Sequence, residues 1–187
     1  VEDLARRFDG VLLVDEAYAD FAGENCLALA LRLPNVVISR TMSKSYALAG
    51  IRFGFAVARP ELVREMSKVK DSYNCDAVAI AAASAAIGDQ EYAQGTWAKI
   101  RAERARMARG LEDLGWSVLP SHANFVLATV PEAAKGTASA APVYAALKAR
   151  GILVRFFDLP CLADKLRITV GTPEDTDALL GALREGA

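Results

Sequence analysis

The sequence predicts an α/β protein in which a mainly parallel sheet is followed by a small α+β domain. Two short apolar segments, residues 11–14 and 36–38, predict parallel strands, because such strands are covered on both faces and are apolar throughout. A helical segment at residues 21–33 supplies the connection between them. After Gly115, short strands and helices follow one another, which is typical of a compact α+β unit.

The composition is that of a folded, soluble chain. Of 187 residues, 53% are apolar and 24% are charged, and the net charge is −1. This balance favours neither nucleic acid nor an anionic membrane as a partner, and no apolar run is long enough to span a bilayer. Three cysteines, an odd number without metal-ligand spacing, predict reduced thiols in a cytoplasmic protein and no metal site.

Local signals define the other elements of the first part. Residues 1–10 indicate the end of a helix and a turn, and residues 53–58 indicate a further strand. Pro60 suits the first position of a helix that stops before the polar break at residues 71–76. An alanine-rich helix is predicted at residues 78–87.

A long helix is predicted at residues 90–114, with Asp89 as its N-cap and an apolar face. Its many basic residues are interleaved with Glu103, Glu112 and Asp113. This mixture indicates a solvated helix face rather than a nucleic-acid surface.

The second part has its own pattern. The segment at residues 172–175 predicts a helix start, with a threonine N-cap, a proline at the first position and acids in the first turn. His122, the one histidine, lies in a turn-like segment and is interpreted as a solvated loop residue rather than a general base. The remaining predictions are strands at 116–119, 125–129, 152–156 and 166–170, a helix at 142–150 and a small-residue loop at 131–141.

Chemistry is indicated at Lys44, which follows the strand at 36–38, where open α/β sheets place their ligands. Arg52 comes after it, and a second cation with partial desolvation favours the neutral amine that a nucleophilic lysine needs. The hydroxyls of Thr41 and Ser43, together with the planar guanidinium, suit a phosphate. A nucleophilic lysine beside a phosphate site suggests pyridoxal phosphate.

Asp15 stands at the end of the other apolar strand and points to the same crevice. A carboxylate paired with the pyridine nitrogen keeps that nitrogen protonated, and the protonated ring is the electron sink of this cofactor. Gly50 and Gly54 either punctuate the loop or let the backbone approach the cofactor.

The chain resembles the C-terminal half of the class II aminotransferases, fold-type I pyridoxal-phosphate enzymes, and most closely those of the histidinol-phosphate aminotransferase type. The likeness lies in Asp15-Glu16-Ala17-Tyr18 and in Thr41-x-Ser43-Lys44-x-x-x-Leu48-Ala49-Gly50-x-Arg52-x-Gly54. It implies that Lys44 forms the Schiff base, and that Ser43 and Arg52 hold the cofactor phosphate. It also implies that Asp15 pairs with the pyridinium and that Tyr18 donates to the ring hydroxyl.

Two arginines interrupt apolar strands of the second part. Strand alternation places Arg155 and Arg167 opposite the apolar face. A buried guanidinium needs an anionic partner, whereas an edge strand with a solvent-facing arginine needs none. The segment 166–172 resembles the family's C-terminal signature, which implies that Arg167 binds the substrate α-carboxylate in a bidentate pair and that Arg155 helps to bind a substrate phosphate.

The resemblance implies amino-group exchange between histidinol phosphate and a 2-oxo acid in a cytoplasmic homodimer. It divides the chain into part of the cofactor-binding large domain, residues 1–78, and a small domain with its connecting helix, residues 79–187. Three other interpretations stay open: an aromatic amino acid aminotransferase or threonine-phosphate decarboxylase of the same family, a non-catalytic interaction module, and a phosphate-binding domain. The intact set of site residues argues against the module, and Asp15 argues against a simple phosphate site, because a carboxylate repels phosphate.

The resemblance covers only the C-terminal half of the family pattern. The glycine-containing phosphate loop, the aromatic residue that stacks on the ring and the Asn-Pro segment have no counterpart in residues 1–187. We therefore expect a fragment of a longer enzyme, with strands 11–14 and 36–38 lacking some sheet neighbours. The isolated chain is expected to have little or no activity.

Overall fold

The computed structural model describes residues 1–131 and 139–186, which form two compact units, Val1–Trp97 and Ala98–Ala187. No helix among these residues is long and apolar enough to cross a membrane. The same residues include no group of three or more His, Cys, Asp or Glu side chains that could hold a metal ion. The predicted domain boundary after residue 78 was based on the domains of the family, whereas the compact units meet after Trp97. The predicted boundary stays a prediction.

The first unit contains a three-stranded sheet in the order β1-β2-β3. β1 and β2 are parallel, which confirms the expectation from their apolar sequences. β3 lies antiparallel to β2 and adds a mixed edge to the sheet. The elements of this unit are α1 (Glu2–Arg7), β1 (Leu12–Asp15), α2 (Leu27–Arg32), β2 (Val36–Thr41), β3 (Gly54–Val57), α3 (Pro60–Val69), α4 (Ala77–Gly88) and the first part of α5 (Gln90–Glu112).

The helix predicted at residues 21–33 is shorter than its apolar pattern suggested. The segment is divided into a 3-10 turn, Ala19–Phe21, and α2. The side chain of Asn25 accepts a hydrogen bond from the Leu27 N–H at 3.1 Å, so the break between the two is a turn closed by an asparagine. Phe21 is nonetheless fully buried, which explains the apolar pattern.

Aspartates lie at the starts of α4 and α5, the two helices after α3. Asp76 accepts a hydrogen bond from the Ala79 N–H at 2.8 Å at the start of α4. Asp89 accepts one from the Tyr92 N–H at 3.2 Å at the start of α5, which confirms its predicted N-cap role.

Gly54 lies where the backbones of β2 and β3 leave no space for a side chain. It pairs with Thr41 of β2, and a Cβ added at Gly54 would lie 2.9 Å from the carbonyl oxygen of Arg40. This approach of strand backbones explains the glycine without a cofactor. A Cβ at Gly50 would meet nothing within 4 Å.

The second unit contains a four-stranded antiparallel sheet in the order β4-β5-β7-β6. Its core includes Val126, Leu147, Leu166 and Leu179, from the sheet and the helices that pack on it. Residues 132–138 of the predicted loop lie outside the described residues. The elements are the rest of α5, β4 (Ser117–Val118), β5 (Phe125–Thr129), α6 (Ala141–Ala149), β6 (Arg155–Phe156), β7 (Lys165–Thr169) and α7 (Pro173–Arg184).

The start of α7 confirms the sequence signal. Thr172 and Asp175 form a reciprocal capping box, in which each side chain accepts a hydrogen bond from the other residue's backbone N–H. His122 is exposed, as a solvated loop histidine should be.

The prediction of a solvated face on α5 was wrong at Glu103, which is only 8% exposed. Arg106 covers this carboxylate, donating from Nε at 3.0 Å, and also pairs with Asp177 of α7 at 2.6 Å. The burial comes from α7, an element far away in sequence, and the charge pattern of α5 alone does not reveal it.

Candidate active site

Lys44 lies in the loop between β2 and β3, just beyond the end of β2 at Thr41. Its side chain is exposed, and Nζ lies 5.9 Å from the centre of the Tyr18 ring, within cation–π range. Within the part of the chain that the structure describes, Nζ has no hydrogen bond or ion pair. The amine is therefore accessible and has no carboxylate partner.

Asp15 is the last residue of β1 and lies opposite Ser39 of β2. Its Oδ1 accepts hydrogen bonds from the Ala17 N–H at 3.0 Å and the Ser39 hydroxyl at 3.4 Å. No cation pairs with this carboxylate among residues 1–131 and 139–186. Because β1 and β2 are parallel, Asp15 and the loop of Lys44 follow strand ends at the same edge of the sheet.

The predicted phosphate-binding residues lie at the end of β2 and in the loop that follows it. The Thr41 hydroxyl accepts a hydrogen bond from the Ser43 N–H at 3.1 Å, which shapes the turn before Lys44. Arg52 donates from Nη1 to the Ala49 carbonyl at 3.0 Å. Arg52 is exposed and has no carboxylate partner in the described residues, so its guanidinium can receive an anion.

Two non-glycine residues of this loop have left-handed backbone conformations. Ala47 has φ 55° and Arg52 has φ 53°. Each such residue costs about 1–2 kcal/mol, and strain of this kind is concentrated at functional sites. The loop keeps this shape with the help of two backbone hydrogen bonds, from Ala47 N to Lys44 O at 3.2 Å and from Leu48 N to Met42 O at 3.0 Å.

Sequence reasoning missed a buried ionic network behind this loop. Arg40 donates to Glu16 at 2.6 Å and to Asp20 at 2.7 Å. The Ser45 hydroxyl donates to the other oxygen of Asp20 at 2.6 Å. One signal could have revealed it: Glu16 and Arg40 carry opposite charges and stand near the ends of two strands predicted to be neighbours.

Trp97 of α5 packs on the other side of Ser45. Its Nε1 donates to the Ser45 carbonyl at 2.8 Å, and its ring meets the edge of Tyr46 at a centroid distance of 5.5 Å. A cavity of about 330 Å³ lies beside these residues, lined by the loop, α4 and α5. The hydrogen bond gives Trp97 a polar role in addition to its packing.

Arg155 and Arg167 are brought together in the second unit. They are register partners on β6 and β7, so both lie on the sheet face opposite the core, as alternation predicted. The Arg167 guanidinium lies 5.3 Å from the Phe125 ring and 5.8 Å from the Phe157 ring, and Arg155 lies 5.2 Å from the latter.

The Arg167 Nε is buried and has no hydrogen-bond partner within the described residues. Like charges directly opposite in a sheet are destabilising, and a buried donor without a partner is costly. The arrangement of Arg155 and Arg167 therefore suits an anionic ligand.

The chain is similar to known aminotransferases. Residues 1–183 match the family model described as aminotransferase class I and II. A histidinol-phosphate aminotransferase of Syntrophotalea carbinolica is 51% identical over 185 residues, which are 99% of this chain and 52% of that protein. One of Rhodopirellula baltica is 48% identical over 180 residues, which are 96% of this chain and 48% of that protein.

A solved structure agrees with these relatives. The histidinol-phosphate aminotransferase of Sinorhizobium meliloti, in complex with pyridoxal-5′-phosphate, superposes with a TM-score of 0.80 at 32% identity, over 94% of this chain and 48% of that one. The chain spans about half the length of the curated relatives it matches. Because the family model matches nearly the whole chain, the chain belongs to the class I and II aminotransferase family.

Proposed function

We propose that the whole protein transfers an amino group between histidinol phosphate and a 2-oxo acid with pyridoxal 5′-phosphate as cofactor. The observation that carries the proposal is Lys44, an exposed amine that has no anionic partner in the described residues and faces the Tyr18 ring. Relatives named histidinol-phosphate aminotransferase at 51% and 48% identity support this reaction over decarboxylation or a non-catalytic role.

The residues at the edge of the first sheet fit this cofactor. Lys44 would hold it covalently, and Arg52, with Thr41 and Ser43, would bind its phosphate. Asp15 would pair with the pyridine nitrogen, and Tyr18 would donate to the ring hydroxyl. The fit is one of complementary charge: Lys44 and Arg52 have no carboxylate partner, and Asp15 has no cationic partner, in the residues described. When bound, the cofactor supplies an electron sink for the substrate Cα.

The chain's own groups would then orient the substrate and move its proton. The Lys44 Nζ serves as general base and takes the proton from the substrate Cα. Hydrogen bonds from the Ala17 N–H and the Ser39 hydroxyl orient the Asp15 carboxylate, which would then pair with the pyridine nitrogen. Each of these groups lies at the end of a strand or directly beyond it, where the backbone is held by the sheet.

Substrate anions would be bound by the paired arginines of the second unit. Arg167 offers a buried Nε without a partner in the described residues, and Arg155 lies directly opposite it. A carboxylate or phosphate on this face offsets the repulsion between the two guanidinium groups and accepts their hydrogen bonds. We also propose, from the family likeness, that the protein is a homodimer in the cytoplasm, where its three free cysteines stay reduced.

Covalent trapping tests the proposal. The chain is incubated with pyridoxal phosphate and reduced with borohydride, and the adduct is located by intact mass and peptide mapping. We expect one pyridoxyl group on Lys44, lost in Lys44→Ala and kept in Lys68→Ala, whose lysine is exposed and paired with Glu65 at 2.6 Å.

Because the chain spans about half the length of its relatives, the same experiment is made on the full-length protein. An adduct there but not on the isolated chain would mean that residues beyond the chain complete the site. The absence of an adduct on the full-length protein would overturn the proposed function.

A further inference from the structure

A buried ionic network lies directly behind the loop that carries Lys44. Glu16 is only 6% exposed, and its Oε2 accepts from both Nε and Nη2 of Arg40 at 2.9 and 2.6 Å. Nη1 of the same guanidinium reaches Asp20 at 2.7 Å. One arginine of β2 therefore binds two carboxylates of the segment that follows β1.

The network continues to the residue next to Lys44. Ser45 is 5% exposed and is held at both ends: its hydroxyl donates to Asp20 at 2.6 Å, and its carbonyl accepts from Trp97 Nε1 at 2.8 Å. The Lys44 side chain is exposed, and among the described residues its Nζ contacts only the Tyr18 ring. The backbone of Lys44 is therefore joined directly to a residue that the network holds at both ends.

The network also reaches the other strand end. Glu16 directly follows Asp15, its N–H donates to the Ser39 carbonyl at 2.9 Å, and its Oε1 accepts from the Cys26 N–H. Arg40 directly follows Ser39, whose hydroxyl donates to Asp15. The same guanidinium thus fixes the segments that carry both the carboxylate and the amine of the proposed site.

Stability alone is a weak reason for such a network, because replacing buried ion pairs by apolar side chains is often neutral or stabilising. We propose that Glu16, Asp20, Arg40 and Ser45 are positioning residues that hold Lys44 in the geometry in which it reacts. The proposal rests on the proposed function of Lys44. It goes beyond that function by assigning a role to four residues outside the proposed cofactor-binding set.

The first test uses the chain without cofactor. Ser45→Ala removes one hydroxyl from the network, and Ser67→Ala removes an exposed hydroxyl that bonds to the Val63 carbonyl at 2.8 Å and serves as the matched control. Hydrogen exchange is measured at the amides of Ala47 and Leu48, which close the loop. We expect exchange about tenfold faster in Ser45→Ala and unchanged in Ser67→Ala.

The second test measures how fast Lys44 is trapped by pyridoxal phosphate and borohydride. Ser45→Ala is expected to slow trapping about tenfold, with no change at surface lysines. A neutral variant, Glu16→Gln with Asp20→Asn and Arg40→Met, separates positioning from stability. It is expected to keep the melting temperature near that of the wild type and still to trap slowly.

The outcomes are distinct. The positioning role is overturned if the amides of Ser45→Ala exchange at the wild-type rate. It is also overturned if the neutral variant is stable and both its amide exchange and its trapping of Lys44 proceed at the wild-type rates. If the wild-type and full-length proteins are never trapped at Lys44 but exchange is faster in Ser45→Ala, the proposed function fails while the network still orders the loop. Faster exchange together with slower trapping supports both.

Discussion

The role of a basic residue in this chain can be inferred from whether a carboxylate pairs with it. Lys44 and Arg52 lack anionic partners among the described residues, whereas Arg40 and Arg106 each bind two carboxylates. The first pair is available to a ligand, and the second pair organises the protein. Residue type alone does not separate the two groups, because all four are basic residues.

Glu103 supplies a prediction about pH. The hydrogen bond from Arg106 lowers the pKa of Glu103 below its ordinary value of 4.5, and the same pairing raises the pKa of Arg106. A carboxyl group with a lowered pKa in the folded state stabilises the protein above pH 4.5, and this contribution is lost as the pH falls through the lowered pKa. Glu103→Gln should therefore destabilise the chain at neutral pH and progressively less in acid.

The measurement is the free energy of unfolding against pH, compared with a control. Glu65→Gln alters a pair with Lys68 in which both side chains are about two-thirds exposed, and it should have little effect at any pH. A constant difference between wild type and Glu103→Gln from pH 3 to pH 7, about the span in which a carboxyl group titrates, would contradict the assignment.

Two strands, β2 and β3, support the loop that carries Lys44. β2 carries Arg40 toward the network and leads into Lys44, and β3 returns antiparallel beside it. The loop between them contains both left-handed non-glycine residues, Ala47 and Arg52. The two paired strands hold the ends of the loop next to each other.

The pairing of β2 and β3 predicts how a substitution at Gly54 changes the stability of the chain. Gly54→Ala places a Cβ 2.9 Å from the Arg40 carbonyl, and the strands must separate slightly, which costs about 1–3 kcal/mol. Gly50→Ala is the matched control, because a Cβ there meets nothing within 4 Å. Urea unfolding should show a lower midpoint only for Gly54→Ala, and equal midpoints for the two variants would contradict the close approach.

The whole molecule consists of two units, and the sheet of the first is open at one side. β1 pairs only with β2 among the described strands, and its Leu13 is 63% exposed. An edge strand with exposed apolar side chains is prone to pair with another chain. This agrees with the expectation that strand 11–14 lacks a sheet neighbour in the present chain. The same expectation was wrong for strand 36–38, because β2 pairs with β1 and β3 and its Val36, Val37 and Ile38 are buried.

Self-association is the corresponding prediction. Leu13→Lys should reduce light scattering of the concentrated chain severalfold, because an edge lysine opposes strand pairing. Leu153→Lys is the control, since Leu153 is 79% exposed but lies outside any strand. Equal scattering by wild type and Leu13→Lys would show that this edge does not drive association.

Local patterns in the sequence were sufficient for several features. The apolar segments ending at Asp15 and before Lys44 predicted parallel strands, and the signal at Thr172 predicted a helix start. Alternation predicted that Arg155 and Arg167 avoid the core face. These features depend on residues close together in the chain, where periodicity and capping chemistry act directly.

Other features were decided only by the tertiary structure. The antiparallel direction of β3, the burial of Glu103 under α7, and the contacts of Arg40 and Ser45 with Asp20 could not be predicted from local patterns. Each depends on contacts between segments distant in sequence, and a residue's type does not specify which distant group will face it. The sequence by itself therefore predicted which residues would carry the chemistry and where most strands and helices lie, while the tertiary structure determined which buried partners surround them.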